Sequence, residues 1–287
     1  MKWFYPIIAA PIYIIFALPL FVLYGLSNFV YVILYDVVGY RKKVVFQNLR
    51  NSFPQKTEAE LQAIAKRYYK HMVDVIIETL KLSTLSNAEL KKRVVFKNTE
   101  IITQLQQQNK SYLFVLGHMG NWEWSGQSFS VNNLGPLYGL YHPLASPFFD
   151  WLMIKLRTRF ELKLIPMQQV LRHMVGYKNT FTGTAFIADQ TPSKENAYWV
   201  NFLHQDTPVF IGTEKIAKRF NYPVVYASCQ KIARGYYQIS FKLITDNPAL
   251  HPDGWITEQH TALLEQDIVN QPHIWLWSHR RWKHKRS

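Results

Sequence analysis

Hydrophobic residues run without a charge from residue 3 to residue 35, between Lys2 and Asp36. About 20 apolar residues span a bilayer, so this stretch predicts a transmembrane or deeply inserted helix. Pro6, Pro11 and Pro19 are the places where it can break into pieces lying in the interface. The pattern then turns amphipathic. Residues 41–53 are basic on one side and stop at Pro54. Thr57 and Glu60 have the spacing of a capping box, and Leu61, Ile64, Ala65, Tyr68, Met72, Val75, Ile76 and Leu80 recur at three- and four-residue steps, which predicts a helix to about Leu82. From there short apolar runs alternate with longer periodic segments. Strands are expected at 94–96, 112–116, 136–140, 186–188, 224–228 and 237–244, and helices at 99–108, 122–130, 147–160, 212–220 and 255–269. Such alternation predicts an α/β sheet flanked by helices. No repeat or long linker divides it, so residues 40–287 read as one domain behind an N-terminal membrane anchor, 1–39.

Charge narrows the surroundings of this domain. The chain carries a formal net charge of +14, which favours an anionic lipid surface, a phosphate or a nucleic acid as partner. Arg41, Lys42 and Lys43 form a basic collar just after the apolar stretch, which places the domain on the cytoplasmic side by the positive-inside rule. The apolar stretch is too long for a cleaved signal peptide and lacks a small-x-small cleavage site. A single cysteine, Cys229, excludes an internal disulfide and a multi-cysteine metal site, and reads as a small core residue.

Candidate chemistry gathers at the end of the 112–116 strand. Gly117-His118-Met119-Gly120-Asn121 follows it directly, and strand ends are where ligands bind in such sheets. Asn121 is a natural N-cap for the next helix. Glu123 lies five residues after His118, about 140° around an ideal helix, so the two meet only if His118 precedes the helix and the glycines bend the chain. A histidine held by a carboxylate is a general-base pair. The alternative is a hydrogen-bonded strand-end histidine beside a solvated carboxylate. No serine or cysteine nucleophile stands next to it. His-x4-Glu is not the His-Glu-x-x-His arrangement of zinc sites, so no metal is called for.

The string Gly117-His118-Met119-Gly120-Asn121-Trp122-Glu123 resembles the GHxGNWE motif of the lipid A biosynthesis (late) acyltransferases, a branch of the lysophospholipid acyltransferase superfamily. The likeness continues in order. Asn48-Leu49, Phe53 and Pro54 match an Asn-Leu-x-x-x-Phe-Pro signature, and Ala188-Asp189-Gln190 an Ala-Asp-Gln stretch. Residues 275–283 match an ending Trp-x-Trp-x-His-Arg-Arg-Trp-Lys. Three positions depart from the family pattern: His142 for an arginine, Glu161 for a glycine and His204 for a glycine.

The resemblance implies a glycerolipid acyltransferase-like α/β fold on the cytoplasmic face of a bacterial inner membrane. It implies transfer of a fatty acyl group from an acyl thioester, on acyl carrier protein or coenzyme A, to a hydroxyl of a lipid A precursor, without a cofactor. His118 is then the base and Glu123 its partner, while backbone N–H groups near Gly120 and Asn121, or the side chain of Arg157, stabilise the oxyanion. Arg157 and Arg159 are either substrate ligands or two arginines on a solvated face. Asp189 and Gln190 stand near the site or mark an ordinary strand-to-turn transition. The acceptor expected is a membrane lipid, with a lysophospholipid or amino lipid as the alternative, and a catalytically silent membrane adaptor as the alternative to an enzyme. The basic aromatic tail either holds anionic phospholipid or locks the C-terminus onto the core. No nucleic-acid motif accompanies it, so nucleic acid is not the expected partner.

Overall fold

The computed structural model describes residues 2–177 and 180–286. The apolar stretch forms two helices, α1 (Tyr5–Ala17) and α2 (Leu20–Val32), followed by a π-helical turn at Ile33–Val37. Pro19 makes the break, because a residue before proline is pushed out of the helical region and Leu18 has ψ 149°. Pro11 is accommodated within α1. The run Leu20–Val37 has a mean hydropathy of 1.7, enough by length and composition to cross a bilayer. One side of the pair is nonetheless bedded on the rest of the protein. Phe16, Leu20, Leu23, Tyr31 and Tyr35 share a core with Leu49, Leu61 and Tyr69, while Ile7, Ile14, Phe21 and Phe29 point outward.

Helices α3 (Lys42–Ser52) and α4 (Glu58–Lys81) follow. The Thr57–Glu60 capping box forms as the spacing predicts, with Thr57 Oγ1 accepting from Glu60 N–H and Glu60 accepting from Thr57 N–H. The chain then runs through α5 (Asn87–Arg93), β1 (Val94–Lys97), α6 (Glu100–Gln107), β2 (Tyr112–Leu116), α7 (Trp122–Val131), β3 (Leu137–Tyr141), α8 (Pro147–Arg157), β4 (Lys163–Pro166), α9 (Val170–Gly176) and β5 (Gly183–Ile187). A hairpin of β6 (Ala197–Phe202) and β7 (Gln205–Phe210) leads to α10 (Gly212–Phe220), β8 (Val224–Ala233), β9 (Tyr236–Thr245) and α11 (Trp255–Asn270).

Among the described residues, seven strands form one sheet in the order β1-β9-β8-β2-β5-β3-β4. Strands β2, β3, β4, β5 and β8 run one way, and the β8–β9 hairpin turns β9 and β1 the other way. Helices cover both faces, so central β2 is apolar throughout: Tyr112 and Phe114 pack with Phe129 and Phe241, while Leu113 and Val115 pack with Ile216 and Ile256. The register aligns strand ends. Leu116 of β2 pairs with Ile187 of β5, so His118 and Asp189, each two residues further on, leave the sheet side by side.

Strand β4, helix α9 and the β6–β7 pair are not marked by periodicity. They are short, and the two-stranded hairpin tolerates Pro208, which a central strand would not. The basic tail is structural in part. Arg281 is 2% exposed and donates to Pro208 O at 2.6 Å, and Trp282 Nε1 donates to Thr207 Oγ1 at 2.7 Å.

Candidate active site

Because β2 and β5 end in register, Asp189 reaches His118 twice. His118 N–H donates to Asp189 Oδ2 at 2.8 Å, and His118 Nδ1 lies 2.6 Å from Oδ1. Trp275 Nε1, from the segment after α11, also donates to Oδ2 at 2.8 Å. Burial disfavours both charges. It is outweighed by the pair itself and by the hydrogen bonds, which hold the Asp189 carboxyl at about 2. The His118 imidazole is correspondingly raised above its ordinary value: burial opposes the charge, but Asp189 overrides it, and Glu123 adds a smaller push while Arg157 subtracts. An ionised carboxylate only accepts, so Nδ1 carries the proton and Nε2 is left to face the cavity, 3.5 Å from the amide of Gln190.

This corrects the local reading of His118 and Glu123. The carboxylate hydrogen-bonded to the histidine is Asp189, and Glu123 holds Arg157 instead, through Nε at 2.9 Å and Nη2 at 2.5 Å. Glu123 sits on the first turn of α7 and Arg157 at the end of α8, so the pair ties two helices at the site. Its fork-to-carboxylate geometry fixes the guanidinium.

Gly120 and Asn121 are placed behind the site rather than in it. Gly120 has φ +57°, and an added Cβ would collide with Cys229 Sγ. Its N–H donates to Ile274 O at 3.0 Å, so it is not a free oxyanion donor, and its carbonyl meets His71 Nε2 at 3.1 Å. Asn121 caps α7 as expected, accepting from Trp124 N–H at 2.8 Å, and donates to Glu78 Oε2 at 2.7 Å. Arg159 is also elsewhere. Its Nη1 donates to Leu82 O at 2.6 Å and to Leu85 O, closing the carboxyl end of α4. The support given by Trp275, Glu78 and His71 carries no local sequence signal, since each reaches the motif from a distant part of the chain.

His118 Nε2 opens onto a cavity of about 440 Å³ that wraps over the carboxyl edge of the sheet. Glu123, Arg157 and Gln190 line it beside the histidine. Its inner wall is apolar and aromatic, with Phe96, Phe129 and Phe241 at the α7 face and Phe186 and Ile216 at the other face. Exposed His142, Leu144, Met167 and Gln190 frame its opening. Cys229 is buried against the cavity wall, with its thiol pushed up to about 12 by burial.

A basic imidazole at the mouth of an apolar chamber suits a reaction on a long-chain lipid. Residues 1–284 match the family described as bacterial lipid A biosynthesis acyltransferase. The chain belongs to this family. It is 24% identical over 251 residues to a lipid A biosynthesis acyltransferase of Haemophilus influenzae, covering 86% of this chain and 79% of the relative. It is 20% identical over 249 residues to the lipid A biosynthesis palmitoleoyltransferase of Escherichia coli, covering 85% and 79%. To the lauroyltransferase of the same organism it is 21% identical over 245 residues, again covering 85% and 79%. The protein is therefore an acyltransferase, and the resemblance carried by residues 117–123 holds over the whole chain.

Proposed function

We propose that this protein moves a fatty acyl group from an acyl thioester to a hydroxyl of a lipid A precursor at the cytoplasmic face of a bacterial inner membrane. The observation that carries the reading is the histidine at the opening of the apolar cavity, with Nδ1 tied to a buried carboxylate and Nε2 turned inward.

Nε2 of His118 takes the proton of the acceptor hydroxyl as its oxygen attacks the thioester carbonyl. Asp189 fixes the tautomer and balances the imidazolium that forms. The Arg157 guanidinium, held by Glu123 at the cavity wall, compensates the tetrahedral oxyanion. When the intermediate collapses, the carbon–sulfur bond breaks and the leaving thiolate recovers the proton from His118. The acyl chain occupies the aromatic chamber. The donor carrier is acyl carrier protein or coenzyme A, whose thioester enters at the exposed rim. The outward apolar side of α1 and α2 seats the protein on the membrane, with exposed Lys43 available to anionic headgroups.

Replacing His118 with alanine is expected to lower transfer by about a hundredfold or more, with membrane association retained. Mass spectrometry of lipid extracts identifies the acceptor: lipid A short of one acyl chain in cells carrying only the variant supports the reading. A changed phospholipid or amino-lipid pool would move the acceptor, and unchanged lipids in every class would overturn the enzymatic assignment of the site.

A further inference from the structure

The helix that carries Glu123 is held from behind by a buried carboxyl that the reaction does not use. Glu78, fully buried on α4, receives three donors: Tyr24 Oη at 2.8 Å, Tyr237 Oη at 2.7 Å and Asn121 Nδ2 at 2.7 Å. Its own carbonyl accepts from Trp124 Nε1 at 2.7 Å. Asn121 is thereby fixed in the one orientation in which its oxygen faces Trp124 N–H and its nitrogen faces Glu78. About two turns earlier on α4 a second hold is added, His71 to the carbonyl of Gly120. Tyr24 belongs to α2, the apolar helix. Beside it Ser27 donates to Asp74 at 2.7 Å, and Arg234 joins Asp74 to the α2 side chain of Asn28 and the carbonyl of Tyr24.

We propose that Glu78 is a positioning residue for acyl transfer and that α2, through Tyr24, completes its hold on the 117–124 loop, so that the membrane-facing helix helps to organise the catalytic groups as well as to seat the protein. The inference rests on the acyl-transfer reading of the site. The physical content is the asymmetry of the carboxyl. Burial pushes this carboxyl up and the tyrosine donors oppose it. The carboxylate accepts from Tyr24 on Oε1 and from both Tyr237 and Asn121 on Oε2, whereas an amide presents its N–H₂ either to Tyr24 or to Tyr237 and Asn121 together. If that face meets Asn121, the Asn121 amide turns over and the cap of α7 is lost. The first turn of α7, with Glu123 on it, is then free to fray. Glu123 aims Arg157, so the loss reaches the oxyanion site without any change at His118 or Asp189.

The test uses the full chain in phospholipid vesicles, with Tyr24→Phe and Glu78→Gln compared with the wild type in two measurements. In steady-state acyl transfer, kcat is expected to fall about tenfold in Glu78→Gln and about threefold in Tyr24→Phe, with KM for both substrates within about twofold. In hydrogen–deuterium exchange, amides 121–126 are expected to exchange faster in both variants while β2 and β9 keep their protection. Unchanged exchange at 121–126 in both variants, or faster exchange spread evenly over the protein, would overturn the proposal. Because exchange needs no turnover, a wild type without transfer activity combined with selective opening of 121–126 would remove the acyl-transfer reading and leave the structural hold standing. If Glu78→Gln does not fold, the milder Tyr24→Phe decides alone.

Discussion

His118 draws its chemistry from a partner 71 residues away, and Glu123, five residues away, works on something else. The two carboxylates therefore respond differently to removal of charge. Asp189 touches the imidazole and Glu123 acts on it through space. The imidazolium is favoured in the wild type, so the neutral base accumulates only above a raised pKa, and kcat/KM is expected to climb with pH through that value. Asp189→Asn removes the main raising influence and leaves burial, which lowers it. That limb should move to lower pH while the plateau falls about a hundredfold or more. Glu123→Gln should lower kcat with a much smaller movement of the limb, because its first effect is on Arg157. A pH–rate profile of both variants separates them, and equal shifts would contradict the geometry. Stability follows the same signs. The contribution of the pair is full below the unfolded histidine pKa, where Asp189, held at about 2, remains charged, and is lost as pH rises through the raised folded value. The difference in Tm between the wild type and Asp189→Asn should therefore narrow on the alkaline side.

Periodicity and capping rules describe local features well, and the helices with clear local signals, α4, α7, α10 and α11, lie where those signals put them. The break at Leu18–Pro19 follows from proline's steric demand on its neighbour. Parallel register is another matter. Nothing within a few residues of His118 says that β5 ends opposite β2, so Asp189 reads as a nearby residue from sequence and as the direct partner only in three dimensions. Arg159 shows the converse, since two residues after Arg157 the chain has left α8 and turned toward the end of α4. Arg159→Ala is expected to cost about 1 kcal/mol of stability, seen as a lower Tm, with turnover per folded molecule preserved. At the cavity, the ring cluster between β1, β9 and α7 closes the inner wall: Phe96 stacks on Phe241 at 5.7 Å and meets Phe129 edge-on at 6.0 Å. Phe129→Ala should deepen the chamber and shift preference toward longer acyl thioesters. Competition between donors of different chain length measures this.

For the whole molecule, the N-terminal helices and the sheet share one interior, since α2 contributes Leu20 and Leu23 to the cluster containing Tyr69 and Leu49. Lys81 Nζ closes the carboxyl end of α1 by donating to Phe16 O at 2.8 Å and Leu18 O at 3.0 Å. The outward side chains make a separate surface. Replacing Phe21 and Phe29, both well exposed, with serine should weaken co-sedimentation with vesicles while leaving transfer between detergent-dispersed substrates nearly intact. Equal binding of this variant and the wild type would place the membrane contact elsewhere.

The segment after α11 closes the site by crossing the catalytic loop: Ile274 O receives the Gly120 N–H, Met119 and Trp275 form a β-bridge, and the Trp275 indole reaches Asp189. During synthesis, then, the histidine and aspartate emerge from the ribosome long before the tryptophan that steadies them. A nascent chain that already holds β1 to β9 but stops short of Trp275 has the His118–Asp189 pair without its indole donor and the catalytic loop without its bridge. A premature stop codon anywhere upstream of Trp275 is expected to behave genetically as a complete loss of the gene.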